Sequence, residues 1–200
     1  MSQNPFILAL SATFAVLTTA SVLPAQQPAP GSLEPPTAPV AVLTTALYND
    51  QANVRGASDS AQAGVATEVI RAHLTEKLGA QLVPNSLVDS LALSSLALGL
   101  AGGAPCHVKV VCAVAVAQEA GARWVVMTKV SKTSSLIWLL SAQLIRVGTG
   151  EIVLDDSTEL KGDPGTMIRL GARSFADRVA RTIQAGGRTT NFPNGEPEYP

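Results

Sequence analysis

Charge is scarce in this 200-residue sequence, and the scarcity excludes several classes of protein. Only 14 % of the residues are Asp, Glu, Lys or Arg, whereas an average soluble domain has roughly 25 %. The net charge is −1, so the composition indicates neither a nucleic-acid-binding protein nor an acidic tail. The first 54 residues contain no Lys or Arg, which excludes a basic N-terminal arm. We therefore predict no nucleic-acid partner.

Motifs of catalysis and cofactor binding are also missing. The sequence has no GxxxxGKS/T phosphate loop, no GxGxxG turn after a strand, no GxSxG elbow and no HExxH pair. Asp155 and Asp156 are adjacent in a predicted strand, so their side chains point to opposite faces and cannot act as paired carboxylates. We predict a protein that is not an enzyme and needs no cofactor. The alternative is an unrecognised hydrolase with His73 in a cleft near a serine or an acid.

The N-terminal part of the chain is apolar and then rich in proline. Residues Phe6 to Leu23 form an uncharged run that is typical of a signal peptide and short for a membrane span. We predict a signal peptide over 1–25, a Pro-rich linker over 26–38, a single α/β domain over 39–183 and a disordered tail over 184–200. Because no Lys or Arg precedes the run, an uncleaved membrane anchor is the alternative. Membrane contact is expected only through this segment.

The chain has two cysteines, Cys106 and Cys112. In an exported protein a closely spaced pair predicts a disulfide, which would contribute about 2–3 kcal/mol to stability. The alternative is a metal site completed by His107. Zinc sites use at least three protein ligands, usually with CxxC-like spacing, and the whole chain has two histidines. We therefore predict no metal site.

Periodicity predicts an α/β (α+β) fold, with helices packed on a mixed sheet of about five strands. The predicted order is β-α-β-α-α-β-β-β-α. The last three strands are joined by turns short enough for hairpins, so we expect antiparallel neighbours. The predicted strands cover 40–47, 81–84, 123–132, 136–147 and 151–160. The predicted helices cover 58–78, 87–100 and 108–120, followed by a last helix that begins after Asp163.

The last helix has the clearest local signals. Asp163 is a good N-cap, and Pro164 suits the first helical position. One stripe along the helix is apolar, and it contains Ile168, Ala172, Phe175, Val179 and Ile183. We expect this stripe to face the core.

The predicted helix over Leu87 to Leu100 is apolar on nearly every side. Ser86 and Asp89 before and within it resemble a capping box. A helix that is apolar all round is either buried or covered by a partner. Burial within the domain is the expectation, and a partner protein or a membrane surface is the alternative.

Two groups of basic residues are candidate contacts for an anion or a partner. Lys129, Ser131 and Lys132 lie near a predicted hairpin turn. Arg169 and Arg173 lie one turn apart on the last helix, and Asp177 is expected to pair with Arg173 or Arg181. The alternative for both groups is an ordinary solvated surface. His73 is expected to be a histidine at the edge of the core with one hydrogen-bond partner.

The order of several short motifs resembles a family of secreted Gram-negative proteins that is known as a domain of unknown function. The motifs are the cysteine pair Cys106 and Cys112, Gly121-Ala122, Lys129-Val130-Ser131, the hairpin Thr149-Gly150 and the step Gly162-Asp163 before the last helix. The chain is also distantly similar to the α/β domains of the Tol-system propeller protein and the curli-secretion lipoprotein.

This resemblance implies a periplasmic accessory or binding protein that docks another envelope protein rather than catalysing a reaction. A protein that binds a small anionic ligand is a second expectation, with the basic residues named above as contacts. The partner, the ligand and the oligomeric state do not follow from the sequence.

Overall fold

The computed structural model describes residues 38–49, 57–102, 106–134 and 137–188. The predicted signal peptide, the predicted linker before residue 38 and residues 189–200 of the predicted tail lie outside these ranges. Within them, no helix is both long and apolar enough to cross a membrane.

Five strands form one mixed sheet, which confirms the predicted fold class. The order across the sheet is β1-β3-β4-β5, and β2 pairs with β3 beyond the end of β1. β1 and β2 run parallel to β3, whereas β3, β4 and β5 are antiparallel neighbours, as the hairpin turns predicted. The strands are β1 (Val40–Val42), β2 (Ala46–Asn49), β3 (Trp124–Lys132), β4 (Ile137–Arg146) and β5 (Glu151–Lys161).

In the described ranges, five α-helices pack on this sheet. They are α1 (Ala57–Leu78), α2 (Asn85–Ala92), α3 (Ser95–Ala101), α4 (Val110–Glu119) and α5 (Pro164–Gln184). Two short 3₁₀ turns, Gly79–Gln81 and Cys106–Val108, follow α1 and precede α4.

The first predicted strand, 40–47, is interrupted between β1 and β2. The chain has one residue more here than the facing part of β3, so the interruption is a bulge. The Thr45 N–H donates to the Thr67 hydroxyl of α1 at 2.8 Å, and the Thr45 hydroxyl lies 2.7 Å from that of Thr128. Because the backbone of Thr45 bonds to a helix, strand pairing stops at this residue. Because of the extra residue, the side chains after the bulge point to the opposite faces of the sheet from those expected for an uninterrupted strand.

The second predicted strand, 81–84, is reduced to a single bridge. Leu82 pairs with Val40 in parallel, and the Val83 N–H donates to the Val40 carbonyl at 2.9 Å. Pro84 has no N–H to continue the pairing. The connection from β1 through α1 therefore returns parallel to β1, and the fifth strand of the sheet comes from the divided first strand.

One face of the sheet is covered by α1 and α5, which we call the charged layer because both helices carry several charged residues. Ile70 and Leu74 of α1 pack with Trp124 and Val126 of β3. The predicted stripe of α5 is buried, with Ile168, Ala172, Phe175, Val179 and Ile183 at most 1 % exposed. The Asp163 carboxylate accepts the Thr166 N–H at 2.8 Å, and Pro164 begins the helix, as predicted.

The other face is covered in part by α2, α3 and α4, which we call the apolar layer. Val88, Ala97 and Val116 of these helices pack with Val125 of β3 and Ile145 of β4. The prediction of one helix over 87–100 is wrong in detail, because the segment forms two helices. The Ser94 hydroxyl accepts the Ala97 N–H at 3.2 Å and caps α3, so the chain turns between α2 and α3.

An arginine joins the two layers around the β1 edge of the sheet. The guanidinium of Arg71 on α1 donates to both carboxylate oxygens of Asp89 on α2, at 2.9 and 2.5 Å. It also donates to the Val42 carbonyl at 2.9 Å. Asp89 therefore does not form the predicted capping box with Ser86, and α2 has no side-chain cap.

Candidate functional site

The apolar layer is nearly free of charge. Residues 85–122 contain only three charged residues, Asp89, Lys109 and Glu119, and no aromatic residue. Asp89 is bound by Arg71. The outer surface of this layer is therefore formed by aliphatic and small side chains.

Four leucines of α2, α3 and the turn between them reach the surface, and we call them the leucine face. They are Leu87, Leu93, Leu96 and Leu98, which are 43 %, 74 %, 55 % and 50 % exposed. In α2 and α3 the fully buried residues are smaller ones, Val88, Ala97 and Ala101. A short helix that packs on a sheet buries only one side, and in α2 and α3 the buried side consists of small residues. The expectation that this segment is buried is therefore wrong for these four leucines, whereas Leu91 and Leu100 pack against the core.

Helix α4 lies between two shallow apolar grooves. The groove toward α3 has a volume of about 150 Å³ and includes Leu91, Leu96 and Ala115. The groove toward the turn between β4 and β5 has a volume of about 610 Å³ and includes Val111, Ala115 and Val147. Val111 is 59 % exposed. This surface was not predicted from the sequence, although the scarcity of charge around α4 was an available signal.

The two cysteine sulfurs lie 2.10 Å apart, so Cys106 and Cys112 form a disulfide. Both residues are buried in the apolar layer. The bond links the 3₁₀ turn before α4 to the first turn of α4, and it thereby holds the start of the helix. Neither sulfur is a free thiolate that could bind a metal, and the described residues contain no group of three His, Cys, Asp or Glu side chains able to hold a metal ion.

The structure separates the basic residues predicted near the β3–β4 hairpin. Lys132 faces the charged layer, and its ammonium lies 3.0 Å from each carboxylate oxygen of Asp59, whose side chain is only 4 % exposed. Lys129 and Ser131 point to the opposite face, because side chains alternate along a strand. The Lys129 ammonium lies 5.5 Å from the ring centre of Tyr48. The three residues therefore do not form one site.

Arg169 and Arg173 lie together beside His73 in a groove between α1 and α5. The groove has a volume of about 420 Å³, and Glu68 and Glu76 also line it. Neither arginine forms an ion pair with another residue in the described part of the chain. The hydrolase alternative requires a serine or an acid near His73. The described residues that line the groove include no serine, whereas Glu68 and Glu76 place acids there.

His73 has a hydrogen-bond partner on the neighbouring helix. Its Nε2 lies 2.9 Å from Oδ1 of Asp177, and its Nδ1 lies 3.6 Å from Oε2 of Glu76. The hydrogen bond with His73 lowers the pKa of the Asp177 carboxyl, and the positive charges of Lys77 and Arg181 lower this pKa further. Asp177 thus has its direct contact across the interface between α1 and α5, and not with Arg173 as the helical spacing suggested.

Several solved structures are similar to this chain, among them the following three. The C-terminal domain of LpoB from Salmonella enterica is 19 % identical, with 66 % of this chain and 87 % of that chain covered and a TM-score of 0.44. Lipoprotein GNA1162 from Neisseria meningitidis is 14 % identical, with 72 % and 98 % covered and a TM-score of 0.46. TolB from Acinetobacter baumannii is 14 % identical, with 78 % and 30 % covered and a TM-score of 0.42.

No relative was found among curated proteins. A family model matches residues 38–178, from two residues before β1 to six residues before the end of α5. The match confirms the resemblance to a domain of unknown function that the order of motifs indicated. The chain therefore belongs to the family described as "Protein of unknown function (DUF2380)".

Proposed function

We propose that this protein is a non-enzymatic accessory protein of the bacterial envelope, which docks another envelope protein through its leucine face. The single observation that carries this proposal is the exposure of Leu87, Leu93, Leu96 and Leu98 on one nearly uncharged layer. A concentration of exposed apolar side chains on one layer supports an interaction site there. A periplasmic location, reached through the predicted signal peptide over residues 1–25, is part of the same proposal.

A protein partner suits this surface better than a lipid surface. Helices that bind membrane interfaces combine an apolar face with many Lys and Arg residues and with Trp or Phe. Residues 85–122 contain one lysine, no arginine and no aromatic residue. The partner surface is therefore expected to be aliphatic, with few charges at its centre.

Site-specific crosslinking tests the proposal. A photoreactive amino acid placed at Leu96 should join the protein to one envelope protein in living cells, and mass spectrometry should identify the same partner when it is placed at Leu93. The matched control places the reactive group at Arg173 in the charged layer, where no such product is expected. Equal products from Leu96 and Arg173, or none from either leucine, would refute docking through the leucine face.

The second candidate is a protein that binds a small anion, and the groove between α1 and α5 favours it. Arg169 and Arg173 line this groove without a described ion-pair partner, beside His73. Thermal unfolding in inorganic phosphate tests this function, because a ligand at 100 times its dissociation constant raises the free energy of unfolding by about 2.7 kcal/mol. The double variant Arg169→Ala and Arg173→Ala should lose any such rise. An equal rise in the wild type and this variant would count against the groove.

A further inference from the structure

The charges that line the groove between α1 and α5 cancel one another when His73 is neutral. The lining contains two arginines of α5, Arg169 and Arg173, and two glutamates of α1, Glu68 and Glu76. Their formal charges sum to zero, so these four residues give the groove no excess charge with which to attract an anion. His73 is the only other titratable residue among the described ones that line the groove. Its protonation state therefore decides whether the lining carries a net positive charge.

His73 lies at the contact between the two helices. Its side chain is 19 % exposed, and its Nε2 lies 2.9 Å from Oδ1 of Asp177 on α5. Its Nδ1 lies 3.6 Å from Oε2 of Glu76, which is three residues later on α1. A protonated imidazole donates from both nitrogens, whereas a neutral one donates from only one. The charged form therefore has a carboxylate beside each nitrogen, and the fold can hold it at this position.

Charged residues of other types surround His73 on the two helices that pack together here. They are Glu68, Glu76 and Lys77 of α1 and Arg169, Arg173, Asp177 and Arg181 of α5. Carboxyl, lysine and arginine side chains ordinarily titrate below about pH 5 or above about pH 9, whereas an imidazole changes its charge between about pH 5 and pH 8. The hydrogen bond with His73 moves the pKa of Asp177 further below this range. We therefore expect the groove to gain its positive charge at His73 when the pH falls from about 8 to 5.5.

Arg169 and Arg173 provide the hydrogen-bond donors for an oxyanion. They lie one turn apart on α5, both are exposed, and neither forms an ion pair with another residue in the described ranges. A guanidinium donates in parallel to two oxygens of a carboxylate, sulfate or phosphate group. The two glutamates of the lining oppose an anion, and a protonated His73 offsets one of these negative charges. The donors are thus present throughout, whereas the balance of charge that favours an anion requires the proton on His73.

We propose that the proton on His73 switches this groove into an anion site, so that Arg169 and Arg173 bind a small soluble oxyanion in mildly acidic solution and release it when His73 loses the proton. The coupling is reciprocal, because an anion that binds better to the protonated form must in turn favour that form. A bound oxyanion is therefore expected to move the titration of His73 to higher pH. This inference rests on the second candidate function, anion binding in the same groove, and adds its regulation by pH.

Isothermal titration of the full chain with sodium sulfate tests the switch, because sulfate, unlike phosphate, keeps a constant charge in this range of pH. At constant ionic strength the wild type should bind sulfate roughly fivefold to tenfold more tightly near pH 5.5 than near pH 8. His73→Gln removes the titrating group, so it should bind at the lower pH as weakly as the wild type does at the higher one. His107→Gln is the matched control, since His107 is the other histidine of the chain and lies in the turn before α4, and it should keep the pH dependence of the wild type. A pH dependence that survives in His73→Gln would overturn the proposal.

Two further measurements separate the switch from the anion site. The double variant Arg169→Ala and Arg173→Ala should bind no sulfate at either pH. NMR of the wild type should show the His73 ring titrating at higher pH with saturating sulfate than without it, and this result decides the matter if circular dichroism shows that His73→Gln is not folded. If the wild type binds equally at both pH values and the double variant does not bind, the anion site stands and the switch is wrong. If the wild type binds sulfate at neither pH, the anion site fails and the switch fails with it.

Discussion

The charged layer and the apolar layer cover opposite faces of one sheet and are built in different ways. The charged layer consists of two long helices, α1 and α5, with large buried residues such as Ile70 and Phe175. Its outer faces carry charged residues. The apolar layer consists of three short helices that bury mainly small residues, such as Ala97 and Ala113, and expose larger ones.

This difference shows which layer has an outer surface suited to water and which layer leaves large apolar side chains exposed. A helix that buries its largest side chains gains the most stability from the sheet beneath it. A helix that buries alanine and exposes leucine leaves apolar area for something else to cover. The charged layer therefore carries stability, and the apolar layer carries the proposed contacts. The following variants test this division.

The largest expected effect on the free energy of unfolding comes from truncating a large side chain in the charged layer, compared with the same change in the apolar layer. Phe175→Ala removes a ring that is 1 % exposed and should lower the free energy of unfolding by about 3–5 kcal/mol. Leu96→Ala removes a side chain that is 55 % exposed and should change it by less than about 0.5 kcal/mol. Urea denaturation measures both. Similar losses would show that the leucine face belongs to the core.

The next effect concerns the link between the layers. Arg71→Met leaves the Asp89 carboxylate and the Val42 carbonyl without their donor, so we expect a loss of about 2–3 kcal/mol in urea denaturation. Lys161→Met is the matched control, because the pair of Lys161 with Glu159 is exposed and should contribute less than about 1 kcal/mol. Equal effects of the two variants would mean that the layers are held together by packing alone.

The disulfide should affect the apolar layer more than the charged layer. Its loop is short, so replacing Cys106 and Cys112 by serine should lower the free energy of unfolding by about 2 kcal/mol. Hydrogen exchange should become faster in α4 and stay unchanged in α5. The double serine variant also serves as the control for reductant, to which it should be insensitive. Equal acceleration in both helices would contradict the division into layers.

The smallest effect is a pH dependence confined to the charged layer. The hydrogen bond from His73 lowers the pKa of Asp177 in the folded protein. A carboxyl whose pKa is lowered by folding stabilises the protein above its unfolded pKa of about 3.9, and that stability is lost as the pH falls through the folded pKa. The melting temperature of the wild type should therefore fall more steeply below about pH 4 than that of Asp177→Asn.

A carboxyl titration followed by NMR separates the two sources of this shift. In His73→Gln the principal hydrogen bond of Asp177 is removed, so the pKa of the carboxyl should move toward its ordinary value. Lys77 and Arg181 remain and keep part of the effect. An unchanged pKa in His73→Gln would show that the helix charges alone lower it.

Most of the charged layer and of the β3–β5 meander could be predicted from the sequence, because their signals are local. Asp163 and Pro164 mark the start of α5, and an apolar stripe marks its buried face. Short turns between β3, β4 and β5 leave antiparallel pairing as the simple arrangement. In such elements the residues that determine the structure lie within a few positions of one another.

Other parts depend on contacts between distant residues and could not be predicted. Thr45 bonds with Thr67 and Thr128, and these contacts interrupt the first strand. Asp89 binds Arg71 and therefore does not cap the start of α2. Lys132 pairs with Asp59, 73 residues earlier in the chain. Hydrophobicity alone could not show which leucines of α2 and α3 stay exposed, since that depends on where the short helices end.

The alternation of side chains along a strand could have predicted that one of the candidate contacts near the hairpin lies apart from the other two. Lys129 and Ser131 are two residues apart and share a face, whereas Lys132 lies on the other face. The grouping of all three came from their closeness in sequence. By contrast, Arg169 and Arg173 are one helical turn apart, and the structure does place them in one groove.

The two edges of the sheet determine whether other copies of this chain can add strands to it. At the β1 margin the Val40 and Val42 carbonyls already accept bonds from Val83 and Arg71. At the β5 margin the outer strand is interrupted by a bulge and carries four acidic residues, Glu151, Asp155, Asp156 and Glu159. Such margins resist the addition of further strands. The edges formed by β1 and β5 therefore oppose the growth of the sheet by addition of strands from other copies.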